Sequence, residues 1–178
     1  MPGPTQAWHS RVMRGVRVAT AAAVATTLLV IGFAAPAGAV SISAPASKNL
    51  GSAPTGTASI SAQLGTVTAG DTGIAGSFVA SVSATVFTTG AGTANETIGK
   101  ASILYWSGPA TASSGVIGGG SPGQLTALQA QDLTVSRTAF SAVGALSISV
   151  SWNPTIIVNI PASAVAGTYT GTITHSVA

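Results

Sequence analysis

The stretch Ile156-Ile-Val-Asn-Ile-Pro-Ala-Ser-Ala-Val-Ala-Gly-Thr-Tyr-Thr-Gly-Thr-Ile-Thr-His-Ser-Val-Ala178 reads as strand, corner, strand. Ile156, Val158 and Ile160 recur at period two, and Pro161 removes a backbone donor and stops the run. After a connection to Gly167, Tyr169, Gly171, Ile173, His175 and Val177 share one face. Thr168, Thr170, Thr172, Thr174 and Ser176 share the other, which is the pattern of a half-buried strand. A Tyr two residues after a Gly at such a bend predicts a tyrosine corner, with the ring in the core and the hydroxyl bonded to backbone across the bend. Pro161, Gly167 and Tyr169 are its structural residues.

The same alternation predicts further strands. Ile60, Ala62 and Leu64 set the phase of Ala58–Leu64, with a bulge expected at Gly65. Residues 69–76 read as a turn-rich connection. Phe78, Ala80, Val82, Ala84 and Val86 mark a core strand, and Ser102–Trp106 another. Residues 110–132 have many Gly, Ser and Ala and no strong period, so a long, partly flexible excursion is expected there, with a helical turn near 124–129. Leu133–Val135 reads as a short strand and Phe140 as an isolated core anchor. Leu146, Ile148, Val150 and Trp152 form the inward face of a strand that turns at Asn153-Pro154. About seven to nine short strands, with no long amphipathic helix and no crossover spacing, predict an all-β, antiparallel immunoglobulin-like sandwich over residues 57–178.

The N-terminus carries a different signal. Arg11, Arg14 and Arg17 lead into an apolar run from Val18 to Phe33 and then Ala34-Ala-Pro-Ala-Gly-Ala39, the order of a secretory signal peptide. Residues 1–39 are therefore expected to be a signal-peptide helix cut between Ala39 and Val40, with a retained anchor as the alternative. Residues 40–56 read as a flexible lead-in, with a short edge strand at Ser41–Ser43. The chain has no Cys, which excludes disulfides, thiolate metal sites and a lipoprotein anchor. Beyond residue 39, Lys48, Lys100 and Arg137 balance Asp71, Glu96 and Asp132, so the sequence pI near 10.0 belongs to the leader. A nucleic-acid partner, or a membrane partner after processing, is not expected of such a chain.

Few groups could carry chemistry. Asp71-Thr72-Gly73 matches the triplet of aspartic proteases, whose mechanism needs two carboxylates sharing a proton, yet it occurs once and reads as a turn. His175 has no Gly-x-Ser-x-Gly elbow to serve and reads as a packed residue. Three acids spread along the chain do not compose a cation cage. Lys48 or Lys100, Asn153 or Asn159, and Glu96 or Asp132 are the groups of a Lys-to-Asn isopeptide bond, against the plainer reading of scattered solvated residues. No cofactor, no metal and no enzymatic activity are expected. Trp106 or Tyr105 is the candidate glycan or wall contact. The two are adjacent and must point to opposite faces of a strand, so at most one is exposed.

Gly76–Phe87, Ala101–Trp106 and Ile160–His175 together resemble secreted actinobacterial proteins related to the WxL cell-surface domains. The family's first Trp is replaced by Phe78, and its Trp-x-Leu by His175-Ser176-Val177. The resemblance implies an exported sandwich that binds a cell-wall polymer non-covalently. The expected function is a non-enzymatic cell-surface or extracellular-matrix protein, secreted or envelope-associated and with self-association open to it. A soluble carbohydrate-binding module is the alternative.

Overall fold

The computed structural model describes residues 20–22 (backbone only), 39–54 and 58–178. The expected signal-peptide helix lies outside them, apart from Thr20–Ala22, which forms β1. The lead-in supplies β2 (Val40–Ser43) and β3 (Lys48–Asn49), followed by β4 (Ser59–Gln63), β5 (Val67–Asp71) and β6 (Ala75–Ala84). Short pieces β7 (Phe87–Thr88) and β8 (Thr97–Ile98) precede β9 (Ile103–Trp106) and the long β10 (Ala110–Pro122). After β11 (Gln131–Asp132) come β12 (Arg137–Trp152), β13 (Thr155–Asn159) and β14 (Thr170–Val177). The fold is an all-β sandwich whose pairings are antiparallel, save that β1 runs parallel to β14.

One sheet has the order β11-β9-β13-β4. The larger is organised around β12. Both β5 and β6 run antiparallel to β12, from Val67 opposite Trp152 to Val82 opposite Arg137, with the register slipping by one residue between the two strands and back again between Phe140 and Thr138. They are one interrupted strand. On the other side β10 pairs with β12 from Ala110 opposite Trp152 to Pro122 opposite Phe140.

This ribbon is folded sharply. Phe140 and Trp152 lie twelve residues apart in β12, a distance of roughly 40 Å if extended, yet their rings stack with centroids 5.2 Å apart. The ends of β10 also meet, since Ser107 N and Gly108 N both donate to Gln124 O, at 3.0 and 3.1 Å. The corner falls at Leu146 and Ser147, two non-glycine residues with φ of 63° and 54°, opposite Gly115 at φ 82°. A strand that turns from one layer to the next does so at such a bend. Gly76 and Gly144 are paired at the corner, and Ile148 packs in the space their β-carbons would fill, 2.9 and 2.7 Å from those positions.

Several expectations change accordingly. Residues 69–71 are strand rather than connection, and only 72–74 break it. Residues 110–122 form a thirteen-residue strand, not a flexible excursion. They show no period because β10 is exposed on both faces for most of its length, leaving little for a hydrophobic alternation to record. Leu133 is buried, but 133–135 is bent chain, and Phe140 belongs to β12 rather than standing alone. Leu146 is 64% exposed because the left-handed corner turns it away from the face that Ile148, Val150 and Trp152 keep. The phase of β6 also reverses beyond Ala84, so Val86 faces out and Phe87 in. There the Thr85 backbone and hydroxyl both bond to Thr172 and absorb the extra residue. The lead-in is not loose at its start: Val40–Ser43 pairs with β5, and Leu50 is in the core.

The closing strand-corner-strand unit follows its pattern, its two strands lying in different sheets. Ile156 and Val158 are buried, and Tyr169 and Ile173 with them. The Tyr169 hydroxyl, shared between Val165 O at 3.0 Å and Asn95 O at 3.1 Å, closes the corner. Gly167 is required by close approach, because a β-carbon there would stand 2.6 Å from Thr89 Oγ1.

Candidate functional site

The alternation of β9 divides its two aromatics. Tyr105 is fully buried and Trp106 half-buried on the outside. Tyr105 is thus removed from the candidate surface contact, since an aromatic at an inward position of a strand between two sheets has no route to a ligand. Trp106 remains, with its ring beside Gly108: a β-carbon on that glycine would lie 3.5 Å from Trp106 Cζ3. The φ of 73° at Gly108 lets the chain leave the strand next to the indole. Trp152 is fully buried and takes no part in a surface platform.

Beneath β9 the polar atoms of the aromatics are linked. Trp152 Nε1 donates to Tyr105 Oη at 3.3 Å, and Tyr105 Oη lies 3.2 Å from His175 Nε2. Burial pushes the Tyr105 hydroxyl above its ordinary range. Burial also lowers the His175 pKa from 6.5 to about 4, so the ring is neutral at pH 7. Among the described residues His175 Nδ1 has no hydrogen-bond partner, and no carboxylate stands behind it as a triad would need. This chain of atoms ties the two sheets together through three aromatic rings.

Each carboxylate has a local task. Asp71 is 7% exposed, and its two oxygens accept from Gly73 N at 2.8 Å and Ser77 N at 3.0 Å. The Asp71-Thr72-Gly73 triplet therefore frames the β5–β6 break. Glu96 closes a capping box, accepting from Thr93 N at 3.0 Å and Thr93 Oγ1 at 2.8 Å, and these bonds hold its carboxyl below the usual range. Asp132 is lowered first by its bonds to Thr134 and then by Arg137, whose Nη2 is 3.4 Å away. Asn153 Oδ1 accepts from Gly65 N at 3.1 Å, where β4 gives way to β5. Glu96, Asp132 and Asn153 are thus each held by partners of their own. Among the described residues no three His, Asp or Glu side chains come together as a metal site would need.

At the predicted cleavage point, Ala39 O accepts from Thr72 N at 3.2 Å and Val40 begins β2. Among the described residues no helix is long and apolar enough to cross a membrane. Compared with family models, with characterised proteins and with solved structures, the chain matches none.

The feature that pattern reading missed is the outer surface of the corner. Ile74, Leu146 and Val116 are 79%, 64% and 59% exposed there. The signal that could have revealed it is glycine inside a strand pattern, at Gly76 and Gly144, which marks a tight bend.

Proposed function

We propose that the protein is exported and serves as a non-enzymatic envelope or matrix component, held to the cell wall by uncharged contacts. The observation that carries this reading is the surface of the large sheet. Its thirteen-residue edge strand β10 consists of Ala, Thr, Ser, Gly, Val, Ile and Pro, and pairs only with β12 among the described residues. Such a surface offers hydroxyls, amides and an open backbone edge to a polymer. It offers few charges to an anion. Among the described residues the half-buried Trp106 is the one tryptophan that reaches the surface, at the end of β9. The resemblance to WxL-type domains and the leader pattern of residues 1–39 point the same way.

A soluble carbohydrate-binding module is the second reading, favoured by the placement of Trp106. Glycan arrays and isolated cell walls, each probed with the protein and with Trp106→Ala, separate the two. Binding to walls that survives the substitution supports the envelope reading. Binding to a defined soluble glycan that is lost with Trp106 supports the module. Binding to neither contradicts both.

A further inference from the structure

The bend in β12 creates a ridge and a hollow on one surface. At the ridge, Leu146 N donates to Ile74 O at 2.9 Å and Ser147 N to Gly73 O at 3.0 Å, so the breaks in the two strands rise together. Ser147 Oγ adds a bond to Thr72 O at 3.1 Å. Ile148 and the Phe140–Trp152 stack fill the concave side, which leaves Ile74 and Leu146 on the convex side. Three residues further along each strand, roughly 10 Å away, the outer face opens into a shallow hollow of about 620 Å³. Gly119 and Gly120 of β10, Ser77 of β6 and Ser141 of β12 border it, with Val79 and Val143 beside them. Those two valines are 50% and 55% exposed.

We infer that this surface is the contact between two copies of the chain, related by a two-fold axis, with the Ile74–Leu146 ridge of each seated in the Gly119–Gly120 hollow of the other. A two-fold contact requires one surface to be complementary to itself, and a ridge beside a hollow on the same sheet meets that condition. Among the described residues no charged side chain borders the hollow or tips the ridge, and the main chain of Ala178 reaches one edge of the hollow. Ile74, Leu146, Val116, Val143 and Val79 together present roughly 500 Å² of surface, the size of the largest apolar patch on a typical monomer, which is often functional. With its Ser and Gly rim the surface approaches the ~800 Å² per partner of a standard interface. The contact is independent of wall binding.

Sedimentation velocity of the purified protein from micromolar to near-millimolar concentration tests this. The expected result is a concentration-dependent dimer. Ile74→Asp, at a position four-fifths exposed, removes the ridge. Gly119→Val fills the hollow, and a β-carbon there meets nothing nearer than Val143 Cγ2 at 3.6 Å. Each variant is expected to weaken dimerisation at least tenfold. A mixture of the two should associate more tightly than either alone, because an intact ridge on one copy then meets an intact hollow on the other. A wild-type protein that stays monomeric throughout overturns the inference, as do variants that dimerise like wild type. Binding of the monomer to phosphatidylcholine vesicles, lost in Ile74→Asp, would assign the surface to lipid instead.

Discussion

Replacing Tyr169 separates the two things that residue does. Its hydroxyl carries one proton, shared between Val165 O and Asn95 O at 3.0 and 3.1 Å. Asn95 O also accepts from Val165 N at 3.0 Å, so it keeps a partner when the hydroxyl goes. Val165 is 42% exposed, and its carbonyl can turn to water. Tyr169→Phe should therefore cost only about 1 kcal/mol, a typical net hydrogen bond. Tyr169→Ala also empties the space of a ring that is 7% exposed. By comparison with other buried aromatic truncations, its cost should be about 3–4 kcal/mol. Thr170→Ala, one position along and on the opposite face, should fall within about 0.5 kcal/mol. Urea unfolding followed by tryptophan fluorescence reads all three, with an unchanged denaturant slope as the check that the unfolded states are comparable. Equal losses for Tyr169→Ala and Thr170→Ala would refute the phase of β14. A Phe variant as stable as wild type would refute the corner hydrogen bond.

Gly171→Ala should destabilise by about 2 kcal/mol or more through overpacking, because its β-carbon would overlap the Phe87 ring. Pairing it with Phe87→Leu should recover part of that loss, and strict additivity in the double mutant would contradict the contact. His175 predicts a pH dependence. Its folded pKa of about 4 lies below its ordinary 6.5, so the unfolded chain takes up the proton first. Stability is full above pH 6.5 and should decline by up to ~3 kcal/mol as pH falls to about 4. Thermal melts of wild type and His175→Gln across that window check it, the variant losing this slope; parallel curves would argue against a buried neutral ring. Asp71→Asn offers an N–H where one of Gly73 and Ser77 needs an acceptor, and should cost about 2 kcal/mol in denaturant melts. A variant as stable as wild type would show that the carboxylate does not frame the corner.

The fold was legible wherever one face of a strand is buried and the other wet. Phe78, Ala80 and Val82 in β6, Ile148, Val150 and Trp152 in β12, and Tyr169 and Ile173 at the C-terminal corner and strand all fall on the predicted side. Legibility failed where that asymmetry is missing. β10 is exposed on both faces, so its residues are chosen for neither burial nor contrast, and a strand looked like a loop. Leu146 looked in phase with Ile148 because a local pattern does not register a left-handed corner imposed by strands far away in sequence. The candidate site was legible in part. Alternation alone required Tyr105 and Trp106 to part, but which of them faced out depended on the register of β9 with Thr155–Val158. That the acids serve caps and turns depends on partners such as Thr93, Ser77 and Arg137 being brought close.

Adhesion to the wall without charge is tested by co-sedimentation of the purified protein with isolated cell walls across a salt series. Screening weakens charge pairs and hardly touches hydroxyl, stacking or strand-edge contacts. The protein is expected to pellet with the walls and to stay bound as ionic strength rises from ~0.05 to ~1 M, where the Debye length falls to about 3 Å. Release at moderate salt, or no sedimentation at any salt, would contradict it.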